Sequence, residues 1–383
     1  MQFKINRQQL NQLLANNLKA ISPQNVIDVL DDFLIKVDEQ SLTITSSNTD
    51  LTIVQTVGVT DQDQPITVKS KGAAVLPARL LANAIKKMTG DQVTIKVDDG
   101  QAKITSGHAK FKLPALASDQ YPHLPDFSEK GQMTLTADQF KTIIKRTSFA
   151  TSKEDTRPIL HGIHFKFNDD GQAIVEATDA HRLSTCLIQP ASVDDEFKAH
   201  DYSLPAAGMT KLESLINQVD GDDSIVIESA KTHLRLRFGY YTIYLRLLTG
   251  FYPGTKGLVP DQFNTALSID RHNLQGIIDR ADLAADKINN NYATLTIKNQ
   301  KATLTTTQSL DGLSTDEELT SADITGDDLE LAFNVQYIKE ALRAFDSENV
   351  VLKFVSRLRP FTITDPDDQE QRFVHLVTPV RTF

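Results

Sequence analysis

A single cysteine, Cys186, stands among 383 residues, which excludes an intramolecular disulfide framework and any cysteine-based zinc site. Tryptophan is absent and glycine numbers only 17. Neither G-x-G-x-x-G after a strand nor G-x-x-x-x-G-K-[ST] occurs, so no nucleotide-phosphate cradle is signalled. Gly-x-Ser-x-Gly and His-Glu-x-x-His are missing as well, which removes two common hydrolase signatures. No apolar run approaches the ~18 residues of a membrane span. The opening Met1-Gln2-Phe3-Lys4-Ile5-Asn6-Arg7 lacks the charged-then-apolar pattern of a signal peptide. The expectation is a soluble, cytoplasmic chain with no membrane, no metal and no cofactor.

What is present is an apolar fraction of 40% with 18 Phe, enough for several ordinary cores. At about 150 residues per domain the length predicts two or three domains. Forty Lys and Arg face fifty Asp and Glu, a net charge of −10. An acidic surface is a poor default for nucleic acid, whose affinity comes mainly from neutralised phosphates. Charge can still be segregated within the chain.

Internal repeats set the architecture. Phe3-Lys4-Ile5 alternates like a strand, Asn6 sits where an N-cap belongs, and Leu10, Leu13 and Leu14 then mark one helix face. The same pattern returns at Leu135–Ile144 and Ile269–Ile278, with Leu10, Phe140 and Leu274 corresponding. A second series, Leu76-Pro77-Ala78, Leu204-Pro205-Ala206 and Phe333-Asn334-Val335, opens three more helices, with Pro at the first turn in two. Each is followed by an alternating strand. The reading is three domains, 1–125, 126–254 and 255–383, each built of two similar halves. Pro- and Gly-containing linkers at 118–126 and 249–257 fit these bounds.

Helices are expected over 7–20, 78–89, 137–149, 206–219, 270–281 and 334–345. They hold thirteen Lys and Arg against five Asp and Glu, while the rest of the chain holds 27 against 45. A basic helical layer is therefore carried by acidic strands and loops, a surface suited to a phosphate backbone if the helices share one side. The bias is strongest at Arg7, Lys19, Arg79, Lys86, Lys87, Lys141, Lys145 and Arg146.

Few residues invite chemistry. His161 and His164 lie in a strand-like run and point to opposite faces, which argues against a shared metal. Asp220-Gly221-Asp222-Asp223 lacks the spacing of a calcium loop and reads as a turn. Thr178-Asp179-Ala180-His181-Arg182-Leu183-Ser184 admits three readings: a structural turn, a recognition site, or a hydrolase using Asp179, His181 and Ser184. No strand-to-helix elbow presents Ser184.

These residues, with Phe149-Ala150-x-Ser152, Arg157-Pro158-Ile159-Leu160-x-Gly162, Phe333-Asn334-Val335-x-Tyr337 and the terminal Pro379-Val380-Arg381-Thr382-Phe383, carry a family pattern. Over its whole length the chain resembles the bacterial beta sliding clamps, the processivity subunits of DNA polymerase III. The resemblance implies an α+β fold of three DNA-clamp domains, each with two helices on antiparallel sheets. It implies a homodimer closed head to tail into a ring around double-stranded DNA, associated with the nucleoid and replisome. It implies a non-catalytic tether for a replicative polymerase of the alpha or PolC type, the clamp loader, repair polymerases and mismatch-repair proteins, which bind through short linear motifs.

Carried over by motif, the peptide pocket takes Leu160, Thr178, His181, Arg182, Leu183, Pro253, Leu258, Leu376, Thr378, Pro379, Val380 and Arg381. Leu160, Leu183, Leu258 and Val380 are expected to supply apolar contact, with Arg182 and Arg381 donating to the peptide. The DNA-facing set is Gln24, Arg79, Lys86, Lys145, Arg146 and Lys153. Ala180 and Gly257 stand where some relatives have Gly and Arg, and Thr378 where some have Met. Gln24 replaces a basic residue, Val26–Asp31 departs from the usual Pro-Ile-Leu-x-Gly, and Glu154 occupies a polar DNA-touching position. A monomeric peptide adaptor is the alternative that needs no DNA.

Overall fold

A computed structural model describes residues 1–60, 65–125, 127–154, 156–285, 291–307 and 312–381. Asp126, at an expected domain boundary, and Thr382 and Phe383 of the terminal motif lie outside them. The described residues contain seven α-helices: α1 Arg7–Asn17, α2 Ala78–Lys87, α3 Ala137–Thr147, α4 Asp195–Lys198, α5 Ala206–Ile216, α6 Arg271–Ala284 and α7 Val335–Leu342. All but the short α4 were expected, and each of those six follows a strand without an intervening loop.

The caps explain the abrupt change from strand to helix. Asn6 accepts from the N–H groups of Gln8 and Gln9, Asp270 from Asn273 and Asn334 from Gln336. Pro77 precedes α2 with extended ψ of 112°, so it occupies the cap rather than the first turn. The expected faces are the buried ones: Leu10, Leu13 and Leu14 on α1, and Leu274, Ile277 and Ile278 on α6. Asp220–Asp223 forms the expected turn, closed by the Asp223 N–H on the Asp220 carbonyl at 3.0 Å.

Two compact units emerge, and their bounds cross the middle repeat. The first comprises Met1–Asp138, Ala191–Phe197 and Gly208–Leu247. It holds a five-stranded sheet and a nine-stranded antiparallel sheet. Within the latter, strand Tyr241–Arg246 pairs on one side with His233–Phe238 and on the other with Leu51–Gly58. The second unit comprises Gln139–Pro190, Lys198–Ala207 and Leu248–Phe383. It holds a four-stranded sheet and another nine-stranded sheet, in which Arg182–Ile188 pairs with Phe373–Val377. In each unit, then, a strand late in one repeat is sewn by main-chain hydrogen bonds to a strand early in the repeat before it.

The seam in the first unit is closed by polar side chains, of which Asn16, Asn17, Gln55 and Tyr241 are buried and Gln218 lies at the surface. The Tyr241 hydroxyl accepts from Asn16 Nδ2 at 2.7 Å and from Gln55 Nε2 at 3.1 Å, and donates to Gln218 Oε1 at 3.0 Å. Asn17 Nδ2 donates to Gln55 Oε1 at 2.9 Å, beneath the same network. Replacing Tyr241 with Phe removes three hydrogen bonds and strands Gln55 Nε2, while Asn16 and Gln218 keep each other at 3.1 Å. The expected loss in chemical denaturation is about 1–3 kcal/mol, with an unchanged denaturant slope.

Candidate functional site

The site grows from three neighbouring strands of the second unit: Ala173–Thr178, Arg182–Ile188 and Phe373–Val377. Thr178 lies directly opposite Leu183, and Leu183 opposite Leu376, so the three form one cross-strand row. The turn joining the first two strands is tight. The Asp179 carboxylate accepts from the N–H groups of His181 and Arg182 at 2.9 and 3.0 Å, and the Thr178 hydroxyl donates to the Arg182 carbonyl at 2.5 Å. Ala180 is held at φ 77°, the left-handed region that disfavours a Cβ.

Two further segments complete the group. The chain after Val377 runs past the turn, with the Thr378 N–H donating to the His181 carbonyl at 2.9 Å. Val380 then bridges to Ala332, leaving Thr378 and Arg381 exposed and Pro379 and Val380 half-buried. Leu160 sits in a single 3-10 turn, Pro158–His161, fully buried. A Cβ on the Gly162 that follows would lie 2.7 Å from Leu248 Cδ1 and 3.1 Å from the Ile159 carbonyl oxygen, so the leucine would have to shift to admit it.

Pro253 and Leu258 arrive on a loop whose anchors were not among the expected site residues. Glu176, 5% exposed, accepts from the Thr255 hydroxyl at 2.7 and 2.8 Å and pairs with Lys166 Nζ at 2.9 Å. Lys166 Nζ also donates to Thr255 Oγ1 at 2.9 Å. Beside them the Tyr252 ring stacks on His164, centroids 4.1 Å apart and 4° from parallel. Burial holds the His164 imidazole below its ordinary range. Alternating polar residues in two strands were the available signal, since His164 lies opposite Glu176 and Lys166, two residues on, shares the face of His164.

All twelve pocket residues therefore lie in one unit, and most meet at one end of three strands. Their expected roles divide differently. Leu160 and Leu183 are each 2% exposed, whereas Leu258 is 49% exposed. Arg182 is not free to greet a peptide. Its guanidinium donates to Asp179 at 2.9 Å, Glu340 at 2.6 Å and the Phe149 carbonyl at 2.5 Å, and lies 4.5 Å from the Tyr337 ring centroid. Its chemistry is spent on holding the turn, which leaves exposed His181 and Arg381 as the polar groups facing outward.

The hydrolase reading falls on the same geometry. Ser184 is wholly buried and donates to the Arg146 carbonyl, so no substrate reaches its hydroxyl. His161 belongs to the 3-10 turn, not the strand, and bonds the Glu154 carbonyl at 2.9 Å, whereas His164 bonds Ser203 at 2.9 Å. Cys186 is buried, and its thiol is pushed up to about 12, too high for a reactive thiolate.

The cationic set splits between the units. In the first, Arg79 and Lys86 are exposed seven residues apart on α2, hence on one face. Arg79 also donates to the Ser22 carbonyl at 3.0 Å, bracing the loop that carries exposed Gln24. In the second, Lys145 is paired to Asp346, and Arg146 lies 3.9 Å from the same carboxylate. Lys153 is exposed beside His181 and Glu154 around a small cavity of about 230 Å³.

Comparison with known proteins is decisive. Models of the DNA polymerase III beta subunit match in tandem: the N-terminal domain over residues 1–125, the central domain over 134–254 and the C-terminal domain over 256–381. The chain belongs to the DNA polymerase III beta subunit family. It is 32% identical to the beta sliding clamp of Staphylococcus epidermidis across all of both chains. Its fold matches the DNA polymerase sliding clamp of Bacillus subtilis with a TM-score of 0.93 at 28% identity, covering 100% of each chain. The DNA polymerase III beta chain of Streptococcus pneumoniae gives a TM-score of 0.93 at 30% identity, again over 100% of both.

Two outcomes follow from the site. Ala180→Gly removes a Cβ from a left-handed turn, and a rise in stability of about 0.5–1 kcal/mol is expected in thermal or urea unfolding. His375, fully buried one residue before Leu376, is held down to about 3 by burial and by neighbouring Arg182. A depressed folded-state value means that the unfolded chain binds the extra proton. Stability is therefore intact above pH ~6.5 and falls by up to about 1.4 kcal/mol per unit as pH drops towards 3. Urea midpoints at pH 7 and 5 measure this, and His375→Leu is expected to flatten the difference.

Proposed function

We propose that this chain is a DNA sliding clamp: three domains, 1–125, 126–254 and 255–383, closed with a second copy into a ring that encircles duplex DNA. The ring acts without catalysis in the cytoplasm, at the nucleoid. It holds polymerases, the clamp loader and repair proteins by their short linear motifs. Such tethering raises the effective concentration of an enzyme at its substrate without any new chemistry.

The observation that carries the reading is a pair of strands left at sheet edges. Strand Ala109–Pro114 ends the five-stranded sheet and Ser314–Glu318 ends the four-stranded one. By the repeat, these are the partners that the seams would join next, the first corresponding to Tyr241–Arg246 and the second to Leu51–Gly58. A second copy supplies each edge with its missing neighbour, and the contact is head to tail.

The seams also give the register. In the first unit the row runs Leu34, Thr45, Val54, Thr242, and in the second His164, Glu176, Thr185, Val374. In the last repeat the row begins Thr294, Thr305, Asp316 and stops at the edge. Thr242 is the third residue after a hairpin glycine, Gly239, and the matching residue after Gly107 is Lys110. Lys110 of one copy therefore falls opposite Asp316 of the other. Exposed Phe111, and Leu283 on the neighbouring α6, supply apolar surface to the same contact.

The row Thr178–Leu183–Leu376, with Leu160, Pro253, Leu258 and the segment Thr378–Arg381, forms the peptide site. Apolar side chains of the peptide meet the leucines of this group and its polar ends meet His181 and Arg381. Gln24, Arg79, Lys86 and Lys153 approach the phosphates directly, while Lys145 and Arg146 first exchange Asp346 for a phosphate.

Light scattering at micromolar concentration is expected to give about 85 kDa, twice the 42.5 kDa chain, and the protein loaded on circular DNA is expected to leave when the circle is cut. A 42.5 kDa species would overturn the ring and favour the monomeric adaptor. Lys110→Glu or Asp316→Lys alone should weaken the dimer about tenfold, because each ring contains the contact twice. Combining the two should restore it. Failure of the double variant to recover would disprove this register.

A further inference from the structure

The five-stranded sheet of the first unit has one face on the core and the other turned to solvent. Phe3, Ile5, Val93, Ile95, Ala102 and Ile104 point inward and are wholly buried. The residues between them point outward. Strand register sets these outward side chains in rows. Lys96 lies opposite Lys103, and Lys103 opposite Lys112. In the next row Lys4 and Lys110 stand at the two ends, with Thr94 and Thr105 between them. All five lysines are exposed. Among the described residues of this face the one carboxylate is Asp98, 3.3 Å from Lys96 Nζ. A chain of net charge −10 thus presents a sheet face with five positive charges against one negative.

Lysine on a sheet edge commonly guards against stray pairing. That accounts for Lys110 and Lys112, on the edge strand Ala109–Pro114, but Lys4, Lys96 and Lys103 sit on inner strands. Nor does the fold require the row. The repeat puts Glu228, Arg235 and Tyr244 at the same three positions in the nine-stranded sheet of the first unit, and Lys353, Thr362 and Leu376 in that of the second. In the former the carboxylate meets the arginine at 2.6 Å. Like charges directly opposite on neighbouring strands oppose folding. The row Lys96–Lys103–Lys112 therefore lowers stability with no return inside the molecule.

We propose that this face binds the phosphate backbone of duplex DNA, as a contact separate from the helices. Lysine is a compact point charge that meets a phosphate without a fixed geometry. Thr94, Thr105 and Gln2, half-buried on the same face, add neutral groups of the kind that position a backbone. Strands lie about 4.8 Å apart, so three lysines in a row span roughly 10 Å, and a duplex carries a charge every ~1.7 Å of its axis. A peptide partner draws affinity from buried apolar anchors, and these rows offer no apolar side chain. The contact does not depend on ring closure. Lys110 is set aside from its test, because it belongs to the proposed contact between copies.

The test is binding of the full-length protein to covalently closed circular DNA in low salt, compared across variants. A closed circle cannot thread a closed ring, and light scattering on each variant shows whether the ring has formed, so failure of the ring and failure of this face are told apart. Lys103→Glu is expected to weaken binding about tenfold and to lower the slope of log K against log salt by about 1, while Lys103→Arg retains both. Lys103→Glu also sets a carboxylate between two lysines, so its urea midpoint should rise, which separates lost binding from lost folding. Binding unaltered by Lys103→Glu would overturn the proposal, as would a midpoint that fails to rise. Capture of a glutamate-rich peptide but not of the circle would overturn it too, and make the partner an acidic protein segment.

Discussion

Everything in this molecule depends on a strand being shared. Tyr241–Arg246 and Phe373–Val377 each hydrogen-bond on both edges, so two repeats become one continuous sheet at each seam. Main-chain pairing makes few demands on side chains, and the seams use that freedom. At matching register the first seam places Tyr241 opposite Gln55, whereas the second places Phe373 opposite Cys186. One seam is closed by a hydroxyl–amide network and the other by a thiol against a ring. Both are buried, and both leave the backbone ladder intact. The polar solution obliges its neighbours to be satisfied as well, which is why Asn16, Gln55 and Gln218 all converge on Tyr241.

The candidate site is a consequence of the second seam. Joining Arg182–Ile188 to Phe373–Val377 brings Leu183 beside Leu376 and sets the chain after Val377 against the Asp179–Arg182 turn. The strongest side-chain interactions there serve shape. Arg182 spans the turn, α7 and the segment before Ser152, fixing three elements that approach from distant parts of the sequence. Glu176 does the same for the loop carrying Pro253 and Leu258. What remains outward-facing are a few polar groups, His181 and Arg381, beside a buried apolar row.

Local features of the sequence were legible and pairings were not. Leu10, Leu13 and Leu14 disclosed α1 because the helical period is written in adjacent residues, and Asn6 disclosed its start because capping is a local hydrogen bond. The repeat disclosed six of the helices because it doubles each weak signal. Nothing local says that Lys145 meets Asp346, some two hundred residues away, or that Thr255 meets Glu176. The same limit explains Arg182. A motif identifies an arginine at a recognition turn, but only the fold says whether its donors are free. The compact units likewise cut across the middle repeat, because shared strands outweigh the linkers that punctuate the sequence.

The charge distribution closes the argument in an unexpected direction. The helices carry the cationic surplus, yet part of it is spent internally. Lys145 and Arg146 face Asp346, while Lys339 bonds Asp282 at 2.7 Å and lies 3.1 Å from Asp279. Each such pair lowers what a phosphate gains by approaching, since it must displace a carboxylate first. For a protein that held DNA by affinity this would be a defect. For a ring it is consistent with motion: retention comes from closure, so individual phosphate contacts must be weak enough to break at each step along the duplex. On the proposed function, the acidic total of this chain and its half-neutralised helices are then the same design feature seen at two scales.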